Sequence, residues 1–234
     1  MTYFAAGVPS FDVTRQLLPV IGRQGVDVIV VGPYPGDPIA YDAGMTPAAH
    51  GSIADCLSMA AEARRSNEVP LVLLVRRADA LAHGIERLAA ECASAGVDAL
   101  FVPDLSLKDA HPLVEPCRTA GLDLVLTVSA TYDGDLLSTL ATETGGFAFV
   151  AAGDPVGLPV LVEQAQTLSG LPVVVQSATG KPEEVSALAE LADGVLVAGP
   201  LGGVMESAHD DLMLDVSEVV RSLKEATRKG EPTR

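Results

Sequence analysis

The stretch Asp27-Val28-Ile29-Val30-Val31-Gly32-Pro33-Tyr34-Pro35-Gly36-Asp37-Pro38-Ile39-Ala40-Tyr41-Asp42 holds the pattern that decides the fold. Val28 to Val31 is an unbroken apolar run. A strand with one wet face would alternate, so this one reads as a strand covered on both faces. Gly32 and Pro33 stop it, and a Gly/Pro-rich loop with two acids follows. Just upstream stands Gly25-Val26-Asp27, and the same phrase returns as Gly96-Val97-Asp98 and Gly121-Leu122-Asp123. Each reads as a helix ending on a left-handed glycine cap, with a strand starting at once.

Working outward, short apolar runs of this kind recur along the whole chain. They are Thr2–Ala6, Val26–Val31, Pro70–Val75, Ala99–Val102, Leu122–Val128, Phe147–Ala151, Pro172–Val175 and Gly194–Val197. The segments between them carry helical spacing, such as Ile85, Leu88, Ala89 and Cys92, or Val160, Leu161, Gln164 and Leu168. Pro19 falls inside the first helical pattern and is expected to kink or shorten it. Pro112 and Pro116 bracket the start of the fourth. Eight strand–helix units with right-handed crossovers close most simply into an α/β (β/α)8 TIM barrel, and an open doubly wound sheet is the alternative. No linker breaks the chain, so residues 1–234 are expected to form one domain, with a frayed tail over about 228–234.

Composition narrows the partners. Hydrophobic residues make up 48% of 234 residues, enough for a large core, and only 4% are aromatic, so that core is mostly Val, Leu and Ala. A formal charge of −16 with no basic cluster argues against nucleic acid and anionic membranes. No apolar stretch is long enough to span a bilayer, and the first residues enter a strand-like run where a signal peptide would stand. Cys56, Cys92 and Cys117 are odd in number and far apart, and each sits in a helical pattern. They read as buried or half-buried thiols of a cytoplasmic protein, with no metal site and no disulfide framework. No phosphate-loop or zinc-helix motif is present, and no cofactor is expected.

The phrases Asp27–Asp42, Gly96–Leu105 and Pro182–Gly194 resemble the tryptophan synthase α chain family, the indole-3-glycerol-phosphate lyases. Val102-Pro103-Asp104-Leu105 is especially similar to that family's fourth loop. The resemblance covers Thr2 to about Val204 and implies a TIM barrel whose active site lies in the loops after the strands. In the family a glutamate in strand two and an aspartate in the following loop do the acid–base chemistry. The matching positions here are Val30 and Tyr41. Valine cannot move a proton, and a phenol with a pKa of about 10 is a poor substitute near neutrality. Candidate replacement acids are Asp37, Asp42 and Asp104. Asp37 also fits an Asx turn before Pro38, and Asp104 also fits a loop or capping role. His50 reads as a surface or capping histidine.

The resemblance further implies a substrate pocket of Tyr3, Arg76, Val102 and Phe149. Arg76 stands where the family commonly has a tyrosine, so it would either clamp an anion or pair with a surface acid. The family's phosphate site maps to Gln176, Ser177, Ala178, Ala198 and Gly199, where glycines have been replaced. The loop Ala152–Pro159 is shorter than the family's lid, and Val8 replaces an acid in the first loop. Two readings follow. One is a non-catalytic ligand-binding or allosteric partner of a PLP-dependent β-type subunit. The other is an active carbon–carbon lyase or isomerase of tryptophan, indole or related metabolism, acting on a small anionic or indole-like ligand. Cleavage of indole-3-glycerol phosphate by rearranged acids is a third and more remote possibility.

Overall fold

In the computed structural model, residues 1–8, 10–33, 51–129, 135, 145–151, 156–198, 204 and 211–228 are described. Strand and helix alternate. The first half runs β1 (Thr2–Ala6), α1 (Phe11–Ile21), β2 (Ile29–Pro33), α2 (Ile53–Arg64), β3 (Leu71–Leu74), α3 (Arg77–His83), α4 (Ile85–Ser94) and β4 (Ala99–Phe101). The second half runs α5 (His111–Ala120), β5 (Asp123–Val125), β6 (Ala148–Val150), α6 (Leu158–Ser169), β7 (Val173–Gln176), α7 (Pro182–Leu191), β8 (Gly194–Leu196) and α8 (Leu212–Ala226).

All neighbouring strands are parallel, β1 to β5 in one sheet and β6 to β8 in another. Two isolated bridges, Thr2 with Val197 and Thr127 with Phe149, join the sheets at both seams. The Tyr3 amide donates to the Val197 carbonyl at 3.0 Å, and Val128 donates to Phe149 at 2.7 Å. The ring is therefore closed, and the chain is a (β/α)8 barrel.

Strand alternation sorts the core into two layers. Tyr3, Val30, Val72, Phe101, Val125, Phe149, Val174 and Leu196 fill the lumen. Phe101 and Phe149 meet edge to face with centroids 4.8 Å apart. Their neighbours along each strand, such as Phe4, Val31, Leu73, Leu100 and Val175, face the helices. The continuous apolar runs are explained by this arrangement, since both faces of every strand are dry.

The glycine phrase performs as its sequence implied. Gly25, Gly96 and Gly121 have φ of 98°, 75° and 72°, the left-handed region where a side chain is strained. The aspartate that follows works at the N-terminal end of the barrel. Of the phrase's aspartates, Asp98 accepts the Leu71 amide at 2.7 Å, and Asp193, which follows Ala192 outside the phrase, accepts the Val173 amide at 2.9 Å in the same way. Each satisfies the first N–H of the preceding strand, which has no ladder partner there.

Three expectations are corrected. Strand two begins at Ile29, because the left-handed turn at Gly25 and the Asp27–Lys224 ion pair at 2.6 Å occupy the residues before it. Helix α1 runs through Pro19 and ends at Ile21, followed by a 3-10 turn over Gly22–Gln24. In α6 the buried stripe is Val162, Ala165 and Ser169, while Val160 is 56% and Leu168 39% exposed. The segment is apolar on more than one face, so two stripes fit the period and packing selects one.

Candidate active site at the barrel mouth

In this fold the loops after the strands form the reactive face. Asp37, Tyr41, Asp42 and Gly199 lie outside the described residues. The others fall into four settings.

The first is the lumen. Val30 is wholly buried beside Tyr3 and Val72, in register with both. Phe149 and Ala198 belong to the same cluster. Among the described residues the buried polar side chains are Thr2, Thr14, Asn67, Ser169, Gln176 and Ser177, with no carboxylate or imidazole among them. Val102 is equally buried but belongs to the helix-facing layer, not to the pocket position expected for it.

The second setting is the cleft between the ends of β2 and β3. It is lined by Pro33, Gly51, Ser52, Arg76, Asp79 and His83. Arg76 is the N-cap of α3, and its guanidinium grips Asp79 through Nε at 2.8 Å and Nη2 at 3.1 Å. Both side chains are about two-fifths exposed, at 41% and 37%. This is the surface-acid pairing anticipated from sequence, and it uses the fork that an external anion would need. His83 meets Glu91 at 2.7 Å. Across the cleft, Ser52 and Asp55 form a reciprocal capping box on α2. The Ser52 hydroxyl, followed by its amide, holds the Asp55 carboxyl below the usual range.

The third is Asp104. Its Oδ1 accepts the Arg77 amide at 2.8 Å, which satisfies a free donor at the start of α3. The residue is exposed and works as a loop anchor.

The fourth is the loop after β7. Gln176 continues the lumen-facing alternation of the strand, and Ser177 follows with its amide on the Leu196 carbonyl at 2.9 Å. Glu184, in the first turn of α7, reaches back over the loop. Its carboxylate accepts the hydroxyls of Ser177 at 2.6 Å and Thr179 at 2.5 Å. It also accepts the amides of Ala178, Thr179 and Gly180 at 3.0, 2.9 and 3.1 Å. Partial burial pushes this carboxyl up, but the hydroxyls and amides outweigh it and bring it down to about 2. Sequence reading missed Glu184 and Asp79. The usable signal was an acid two or three residues into each helix, where free N–H groups attract one.

Among the described residues the arrangement combines an apolar lumen, which carries the Tyr3 phenol and Gln176, with rim carboxylates of Asp79, Asp104 and Glu184 that are engaged by neighbouring donors. No group of three or more His, Cys, Asp or Glu among the described residues is placed to hold a metal ion. Cys56, Cys92 and Cys117 are buried, and burial raises the thiols of Cys92 and Cys117 to about 12 and about 11. No helix among the described residues is long and apolar enough to cross a membrane.

Comparison with known proteins agrees with this architecture. The family description "Tryptophan synthase alpha chain" matches residues 1–229. The tryptophan synthase alpha chain of Roseiflexus sp. (strain RS-1) is 30% identical over 241 residues, spanning 96% of this chain and 92% of that one. That of Citrifermentans bemidjiense is 28% identical, over 98% and 92%. Among solved structures, tryptophan synthase subunit alpha from Legionella pneumophila str. Paris superposes with a TM-score of 0.84 at 22% identity, covering 97% of this chain and 91% of that one. Mycobacterium tuberculosis tryptophan synthase gives 0.83 at 22%, covering 98% and 92%. At that identity the superpositions speak for the fold. The chain belongs to the tryptophan synthase alpha chain family.

Proposed function

We propose that this member of the family binds a small ligand at its mouth and acts on a PLP-dependent β-type subunit, without performing the family's indole-3-glycerol-phosphate cleavage. The observation that carries this reading is Val30. It stands where the resemblance puts the strand-two glutamate, and it is fully buried among apolar neighbours. An isopropyl group cannot accept or donate a proton. Loss of a general acid–base group costs on the order of 10²- to 10⁴-fold in rate. Tyr41, at the loop aspartate's position, offers a phenol that stays protonated near neutrality.

A second reading is an active lyase or isomerase on another small anionic substrate. The cleft beside β2 favours it, because Arg76, Asp79 and His83 gather titratable groups there. An anion entering that cleft would have to displace Asp79 from the Arg76 fork.

Indole release from indole-3-glycerol phosphate separates these readings, measured with the purified protein alone and with a β-type subunit. No release by the protein alone, with faster β-subunit turnover in the mixture, is the expected result. Release at enzymatic rates by the protein alone overturns it and makes Asp37, Asp42 and Asp104 the first residues to mutate. Absence of any effect on the β-type subunit sinks the partner role and leaves the new-substrate reading.

A further inference from the structure

Two hydroxyls and three consecutive amides converge at the start of α7, the kind of donor set that binds an oxyanion. Here the chain supplies the oxyanion itself. Ser177, Ala178, Thr179 and Gly180 all donate to the one carboxylate of Glu184. Two further bonds lock the loop around it: Gly180 donates to the Ser177 hydroxyl at 2.8 Å, and Lys181 donates to the Thr179 hydroxyl at 3.2 Å.

We propose that Glu184 is a built-in anion that closes the strand-seven side of the mouth, making it the residue that selects against phosphate-bearing ligands. The donors that the loop after β7 would offer a phosphate, from Ser177 to Gly180, are committed to Glu184. A phosphate approaching those donors would also face a like charge within a few ångströms, where repulsion is strong. The carboxyl is held far down its range and is ionised at neutral pH. The overall charge of −16 acts in the same direction. Lys181 is the nearby cation, but its exposed side chain is screened by solvent. The ligand class that fits is a neutral or singly charged small molecule held in the β2 cleft. This rests on the mouth being the ligand site, as in the proposed function, and is independent of whether turnover occurs there.

The test is titration of the full chain with inorganic phosphate at neutral pH, followed through the backbone amide resonances of Ala178, Thr179 and Gly180. In the wild type these resonances stay in place at millimolar phosphate. In Glu184→Ala they move saturably, with apparent affinity raised by about tenfold or more once the like charge is gone. Glu184→Gln keeps an acceptor and the helix cap but removes the charge, and it decides the matter if the alanine variant does not fold. Phosphate-dependent shifts at these amides in the wild type overturn the proposal. So does their absence in a folded Glu184→Gln or Glu184→Ala variant. None of these readouts uses enzymatic activity, so a failure here is distinct from a failure of the partner reading.

Discussion

The two ends of this barrel use the same chemical device for different ends. At the N-terminal end, carboxylates take up backbone amides and cations from distant parts of the chain. Asp98 joins Leu71 and Arg64, Asp193 joins Val173 and Gln166, and Asp27 joins Lys224. Arg64 also donates to the carbonyls of Gly96, Asn67 and Val69. At the mouth, Asp79 and Glu184 engage donors within a few residues, while Asp104 and Asp109 reach Arg77 in a neighbouring unit. Long-range bonds close the ring, whereas local bonds shape one loop at a time. The first end therefore holds the fold, and the second can change its chemistry without disturbing it.

The most severe break of this contrast is Arg64→Ala. It strips donors from three carbonyls and leaves Asp98 without its cation. We expect a loss of about 2–3 kcal/mol in urea denaturation, as for a partly buried charged hydrogen-bond hub. A loss below about 0.5 kcal/mol, the range of a surface pair, would show that the N-terminal end is no clasp.

A smaller effect is expected from Glu184. Its folded carboxyl lies at about 2, depressed from 4.5. A depressed folded pKa contributes stability that is present above the unfolded value and lost as pH falls through the folded one. Wild-type stability should therefore decline between about pH 4.5 and pH 2 relative to Glu184→Gln. Because the group is only partly buried, we expect a difference of about 1 kcal/mol, below the full linkage value. Parallel curves for the two proteins over that window would remove Glu184 as the ionised centre of the loop.

The smallest effect is expected from Arg76→Ala. An exposed i,i+3 pair is worth under about 0.5 kcal/mol, so thermal stability should hardly move. A large loss would place the β2 cleft with the load-carrying end and narrow the contrast.

Much of the fold was legible because its signals are local. Unbroken Val/Leu/Ile runs mark strands covered on both faces, and glycine before an apolar residue and Asp marks three of the helix-to-strand joins. Val30 was placed at the family's strand-two glutamate position by the resemblance, and in the fold it lies in the lumen. Asp104 read either as a replacement acid or as a loop or capping residue, and in the fold its oxygen accepts the Arg77 amide. The site was less legible. Arg76 read equally as an anion clamp or a surface partner, since an arginine's destination depends on which acid the turn of a helix brings within reach. Val102 read as a pocket residue through the resemblance, yet pleating turns it to the helices.

By itself, the sequence determined the eightfold alternation, the dry strands and the glycine caps, all properties of residue type and spacing along the chain. Only the tertiary structure decided which stripe of α6 faces inward, that Arg76 is held by Asp79, and that Glu184 fills the loop after β7. Those outcomes depend on distances between atoms that the chain brings together by folding, and hydrogen bonds and ion pairs act only across such distances.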